Sequence, residues 1–190
     1  MTPNGSRTVR RATSDDLDRL VPLFSAYREF YQYPAEPVRE RAFLAERLPK
    51  GESVVFLAEE GDAAIGFIQL YPLFSSLSLL PVWVLNDLYV LPGSRRRGVA
   101  SGLLRRAQEF ARATGAEYLT LETAVDNPAQ LLYEREGWTR DERFLHYERK
   151  VTLERRTPRR SAQRANVGGR AQPDDRRIQP SPRGPAQERS

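Results

Sequence analysis

The sequence predicts a mixed α/β domain built on one sheet, and three observations carry that prediction. Short apolar runs alternate with amphipathic segments along residues 6 to 150. From Ala63 to Asn86 no charged residue occurs, as expected of strands buried on both faces. The strand end Asp87-Leu88-Tyr89-Val90 then runs through Leu91-Pro92-Gly93 into Arg95-Arg96-Arg97-Gly98-Val99-Ala100 and directly into a helical pattern.

Taken in order, Thr8 to Arg11 reads as a first strand, and Thr13-Ser14-Asp15-Asp16 supplies an N-cap with an acid three residues on. Leu17, Leu20, Val21, Phe24, Tyr27 and Tyr31 follow the 3.6-residue period of a first helix. Pro37 to Leu48 is a second helix, stopped by Pro49-Lys50-Gly51. Val54 to Glu59 and Ala64 to Pro72 are strands joined by the hairpin signal Glu60-Gly61-Asp62, and Val82 to Val90 is the next strand. Val99 to Thr114 is a helix ended by Gly115, Tyr118 to Thr123 a strand, and Pro128 to Glu136 a helix ended by Gly137. Trp138 to Arg140 and Phe144 to Lys150 are expected to be closing strands. The expected order is therefore β-α-α-β-β-β-α-β-α-β-β.

The 190 residues, 39% hydrophobic, suffice for one domain with a sizeable core. With no cysteine and only His146, thiolate metal sites, disulfides, a histidine-based zinc site and a Ser-His-Asp triad are all disfavoured, so no metal is expected. No signal peptide pattern is visible in Met1 to Arg11. The uncharged stretch Ala63 to Asn86 is long enough to span a bilayer. Pro72, Pro81, Gln69, Ser75, Ser76 and Ser78 interrupt it, so strands fit better and no membrane association is expected. A cytoplasmic location is the expectation.

Charge is concentrated at the end of the chain. From Glu154 to Ser190 ten arginines stand against four acids, a net of +6; the whole chain is +5, so residues 1–153 carry −1. The pI near 9.8 describes that tail. Its prolines, glycines and near absence of large apolar residues predict disorder. The expected division is a domain at 1–153 and an Arg/Pro-rich tail at 154–190, the tail offering at most weak contact with nucleic acid.

The segment Asp87 to Ala100 points to chemistry. A helix start presents backbone N–H groups without intrahelical partners and carries partial positive charge, so an anion finds donors already aimed at it. Gly98 lets the backbone come close to such an anion. Taken alone, an Arg-rich turn with one glycine fits a solvated loop as well; its neighbours decide the matter.

Arg95-x-x-Gly98-x-Ala100 after Leu88-Tyr89-Val90, followed by Leu132-Tyr133-Glu134-Arg135-Glu136-Gly137-Trp138, resembles the GCN5-related N-acetyltransferase (GNAT) family across roughly residues 6 to 150. The likeness is greatest to its diamine and Hpa2-type branch. The resemblance implies the acyl-CoA N-acyltransferase fold, a mixed sheet whose central strands splay so that the pantetheine arm of acetyl-CoA inserts between them. It implies backbone contacts to pantetheine and the acetyl carbonyl at Leu88, Tyr89 and Val90, and the pyrophosphate on the backbone from Arg95 through Arg96, Arg97, Gly98, Val99 and Ala100 to Ser101. Side chains of Arg95, Arg96 and Arg97 could also reach phosphates; spacing does not say which turns inward. Tyr133 matches a tyrosine proposed to protonate the departing thiolate, and Asn127 an asparagine that helps hold the cofactor. Tyr27, Phe30, Tyr31 and Tyr33 lie where relatives build the acceptor wall; most are expected to be core, with one or two facing the cleft.

The base is less legible. Where the diamine branch often has glutamate, this chain has Asn86, which cannot be a base. Asp87, Glu122 or a water relay could serve, and Asp87 could equally cap nearby backbone. The implied activity is transfer of acetyl from acetyl-CoA to a primary amine of a small molecule, amino acid or protein by direct attack. A toxin-type enzyme acting on aminoacyl-tRNA and a non-catalytic CoA-binding module are the alternatives. Oligomeric state is not readable from the sequence; a homodimer rests on family analogy alone.

Overall fold

A computed structural model describes residues 6–149 and 151 of the chain. These fall into two units, 6–139 and 140–149 with 151, and all regular secondary structure lies in the first. The boundary expected at 153/154, the tail 154–190 and Lys150 lie outside the described residues.

The elements are β1 (Arg7–Arg11), α1 (Leu17–Phe30), α2 (Pro37–Lys50), β2 (Val54–Glu60), β3 (Ala63–Ser75), β4 (Leu80–Val90), α3 (Val99–Ala113), β5 (Leu119–Leu121) and α4 (Gln130–Arg135). The strands form one sheet in the order β1-β2-β3-β4-β5, antiparallel throughout except for the parallel pair β4–β5. This is the α/β mixed sheet the sequence predicts.

Both faces of the sheet are covered, which is why Val54 to Ala58 of β2 and the middle of β3, Gln69 apart, are apolar. Val54, Phe56, Ile68, Leu70, Trp83 and Leu85 pack under Leu103, Leu104 and Ala107 of α3. Val55, Leu57, Phe67 and Tyr89 face Leu20, Phe24 and Leu44 of α1 and α2. The helix stripe predicted for α1 supplies its share of these contacts through Leu17, Leu20, Val21 and Phe24. Burying one such Leu or Phe side chain is worth about 1.5–3 kcal/mol.

The structure corrects the end of the expected order. Trp138–Arg140 and 144–149 carry no strand. A strand is held by its ladder more than by propensity. β5, at three residues against the six expected, offers only a short edge. β3 and β4 run longer than expected, because their mutual ladder continues to Ser75–Leu80. Pro72 is tolerated there because β2 has already left β3 at Leu70.

A charge cluster locks β1 to the start of α1. The Arg10 guanidinium donates to Asp16 at 2.5 and 2.8 Å and to Glu59 at 2.8 and 3.0 Å, and Arg19 meets Glu59 at 2.6 Å. Asp16 also accepts from the Thr13 N–H at 2.8 Å, completing the predicted capping box. These hydrogen bonds, Arg10's first, hold the buried Asp16 carboxyl far below the usual carboxylate range. A carboxyl lowered by folding stabilises above its unfolded pKa, near 3.9, and loses that contribution as pH falls. Asp16→Asn is therefore expected to cost about 1–3 kcal/mol at pH 7 and to flatten the fall of stability below about pH 4. Urea melts at pH 7 and at about pH 2 check it; equal losses at both would show that the charge plays no part.

Candidate active site

The site begins where β4 and β5 part. Their ladder holds only Trp83–Leu119, Val84–Thr120 and Leu85–Leu121. From Asn86 to Val90, β4 keeps β3 on one side and has no strand on the other. Its backbone groups on that side, apart from the Val90 carbonyl taken by Arg95 Nε, have no strand partner and are open to a guest.

A β-bulge sits at the parting. Gln69 opposes Asp87 and Leu70 opposes Leu85, so Asn86 is the extra residue. One inserted residue reverses which side chains face which layer. Trp83 and Leu85 pack toward α3 before the bulge; after it Leu88 and Val90 do so, and Tyr89 turns toward α1. Asp87, on the Tyr89 side, is carried under α1 and is almost wholly buried.

Asp87 is surrounded by hydroxyls and amides. Asn86 Nδ2 donates to it at 3.1 Å, and the Tyr27 hydroxyl also donates to it. Burial pushes its carboxyl above the ordinary range, and those two hydrogen bonds only partly oppose the shift. It has no ion-pair partner among the described residues. The tyrosines around it respond in kind: burial first, then the Asp87 charge, raises Tyr27 and Tyr31, and pushes Tyr71 up to about 12. Gln69, fully buried across the ladder from Asp87, donates Nε2 to the Tyr71 hydroxyl at 3.1 Å, while its Oε1 has no partner. Sequence reasoning missed Gln69 and Tyr71 as site residues; the signal was a lone amide inside the apolar run Phe67-Ile68-Gln69-Leu70-Tyr71.

Of the expected acceptor wall, Tyr27 is core, its ring 5.8 Å from Phe67 and 6.3 Å from Tyr89. Phe30, Tyr31 and Tyr33 are all exposed, which corrects the expectation that most would be core. They fall at and just after the end of α1. Burial first and then the Asp87 charge raise Tyr31, and Tyr31 in turn adds to the burial that raises Tyr133. Tyr133, on α4, packs edge-on against Trp138 at 6.0 Å. Burial, with Tyr31, raises its phenol above its ordinary value.

Beyond Val90 the chain turns through Arg96 and Gly98, at φ +57 and +79, into α3. The left-handed conformation is what demands glycine at 98; a Cβ there would meet no protein atom within 4 Å. No side chain caps α3, and its first intrahelical bond runs from Gly102 N–H to Gly98 C=O at 3.0 Å. The N–H groups of Val99, Ala100 and Ser101 are thus without helical acceptors. The three arginines differ. Arg95 donates to the Val90 carbonyl at 2.9 Å and lies 5.6 Å from the Phe30 ring, so it is the one turned inward. Arg97 pairs with Glu60 at 2.7 Å and its carbonyl accepts from Arg7. Arg96 has no protein partner among the described residues. Asn127 Oδ1 accepts from Ala129 N–H at 2.9 Å, an Asx turn that starts α4.

A separate cleft of about 410 Å³ lies at the far end of α3, between Gln108–Arg112, the start of β5 and Gly137–Thr139. None of the candidate residues lines it. Among the described residues no cluster of His, Asp or Glu could hold a metal, and no helix is long and apolar enough to cross a membrane.

A sheet parted beside a strand bulge, an uncapped helix start beyond the strand end and a tyrosine on the next helix define an acyltransferase of the kind the motifs resemble. Residues 19–138 match the profile of the "Acetyltransferase (GNAT) family". The chain is 44% identical to the uncharacterized N-acetyltransferase YhfO of Bacillus subtilis over 73% of this chain and 94% of that one. It is 36% identical to a probable acetyltransferase of Haemophilus influenzae over 67% and 87%. A crystal structure of a probable acetyltransferase, 46% identical, superposes with a TM-score of 0.73 over 77% of this chain and 99% of that chain. The chain belongs to the GNAT family and is an N-acetyltransferase.

Because an acid whose pKa folding raises is stabilising only below its unfolded pKa, ionised Asp87 opposes folding at neutral pH. Asp87→Asn is expected to raise Tm by a few degrees at pH 7 and by less at pH 4. Scanning calorimetry at the two pH values checks it, and a lowered Tm at pH 7 would mean that Asp87 is ionised in a favourable network instead.

Proposed function

We propose that the chain transfers acetyl from acetyl-CoA to the primary amine of a small molecule by direct attack. The observation that carries this reading is the parting of β4 from β5 at Asn86, with the free N–H groups of α3 beyond it. Backbone of Leu88, Tyr89 and Val90 is suited to pair with the pantetheine arm as a strand would. The amides of Val99, Ala100 and Ser101, approached through Gly98, are suited to the pyrophosphate, and Arg96 is the guanidinium free to join them. Arg95 acts instead by bracing the strand end against Phe30. A solved aminoglycoside N-acetyltransferase in complex with CoA shares the fold at 22% identity, with a TM-score of 0.66.

Acetyl-CoA supplies an acyl group activated as a thioester. The chain's part begins with orientation: open amides of the β4 end polarise the carbonyl, and the parted strands hold it against the incoming amine. Tyr133 serves the leaving sulfur. A phenol near 10 donating fully to a thiol near 8.5 is already uphill, and burial raises the phenol further. Tyr133 therefore acts as a hydrogen-bond donor rather than by complete proton transfer. With no cysteine in the chain, transfer proceeds without a thioester on the enzyme.

The acceptor class follows from Asp87. A buried carboxylate without an ion-pair partner, beside the unpartnered Gln69 Oε1 and ringed by tyrosines, favours a ligand rich in N–H donors. A Serratia marcescens aminoglycoside N(6')-acetyltransferase is 28% identical over 70% of this chain and 92% of its own length. Small polyamine-bearing molecules of that chemical kind suit the site.

Two measurements test the reading. Acetyl-CoA binding by calorimetry is expected to weaken at least about 10-fold in Gly98→Glu, with the fold retained by circular dichroism; unchanged binding removes the phosphate assignment. For Tyr133→Phe, kcat on the best amine of a panel is expected to fall about 10- to 100-fold, the worth of one hydrogen bond to a charge. A loss near 10⁴ would make it a full general acid, and no loss would remove it from the site.

A further inference from the structure

β3 and β4 run past the rest of the sheet. β2 accompanies β3 only to Leu70, whereas the β3–β4 ladder continues from Tyr71–Val84 to Ser75–Leu80. Trp83 and Val84 still carry β5, so the ladder becomes a two-stranded arm from Leu73–Val82 outward, and its outer end is apolar: Leu73, Phe74, Leu77, Leu79 and Leu80 are all exposed, Leu77 at 99%. Leu79 is held at φ +59, a conformation disfavoured for any residue with a Cβ, and is 85% exposed. No charge occurs anywhere from Ala63 to Asn86, in a chain 29% charged.

We propose that this arm is a self-association surface, on which a second copy of the chain seats its own 73–80 hairpin about a two-fold axis. Such an axis sets like residues against like, which only a patch without charge meets free of repulsion. Five such side chains expose on the order of 500 Å² of apolar surface, as much as a monomer usually leaves open. Two copies would bury about 1,000 Å², the lower bound of a specific interface. Pro72 removes a donor from the free edge of β3, so the contact is made by side chains rather than by adding strand to strand.

Other occupants fit less well. Residues 154–190 bring ten arginines and only Val167 and Ile178 as large apolar side chains, a poor match for a leucine-rich face. An anionic lipid surface would be met by basic residues flanking the tip, and the arm has none. The inference does not rest on the acetyl-transfer reading.

The absence of cysteine gives a direct test on the full chain. Leu77→Cys is expected to form a disulfide-linked dimer under mild oxidation, whereas Val38→Cys, 84% exposed on α2, is expected to stay monomeric. Light scattering of the unmodified chain at about 50 µM should give twice 21.7 kDa. The double variant Leu77→Asp with Leu79→Asn should give the single mass; asparagine tolerates the left-handed backbone, so its melting curve should stay intact. A monomeric unmodified chain, a dimer that survives the double variant, or equal crosslinking at both cysteines would each overturn the proposal. So would flotation of a monomeric chain with phosphatidylserine vesicles that depends on Leu77.

Discussion

The short parallel ladder between β4 and β5 is the constraint on which the rest of the site depends. A parallel pair is stable only when its backbone is matched and both faces are covered. Here three register pairs are matched, and α3 covers them: Trp83 rests 5.0 Å from the Phe110 ring, and its indole N–H donates to Thr114 at 2.8 Å. Past Leu85 the cover continues but the partner strand does not. The open half of β4 keeps its shape because β3 still pairs with it through Val90. A rigid strand with one free side results, which is what a binding edge requires.

The bulge at Asn86 gives that edge its chemistry. Without it, Asp87 would sit on the α3 side with Trp83 and Leu85, a carboxylate within the larger apolar core. With it, the acid turns toward the tyrosines and Gln69, where hydroxyls and amides can meet it. The same shift places Tyr89 against the Tyr27 ring, so the strand end is clamped by α1 while Arg95 ties Val90 to Phe30.

Two buried acids show how differently one fold treats the same group. Asp16 lies beside Arg10 and accepts from backbone at the capping box, so ionisation is favoured and ties β1 to α1. Asp87 has neutral donors only, so burial dominates and ionisation is resisted. The first acid holds the scaffold together. The second is a local stability loss at the place where a charged amine would offset it, the pattern expected of a site shaped for a ligand.

The elements and the acetyltransferase motifs were legible in the sequence because their determinants are local. Helix stripes, the Thr13 cap, the Glu60-Gly61-Asp62 turn and the run from Val90 through Gly98 into α3 all act over a few residues. Tertiary structure alone decided which way Asp87 faces, because a one-residue bulge depends on how β3 and β4 align and leaves no period in either strand. It also decided that Arg95 turns inward while Arg97 goes to Glu60, since all three arginines have equal propensity and differ only in what lies nearby. Gln69 joined the site by cross-strand register, and the expected strands after α4 did not form, because a strand needs a ladder that propensity cannot supply. Local physics determined what this chain is made of; pairing between distant segments determined where its reactive edge opens.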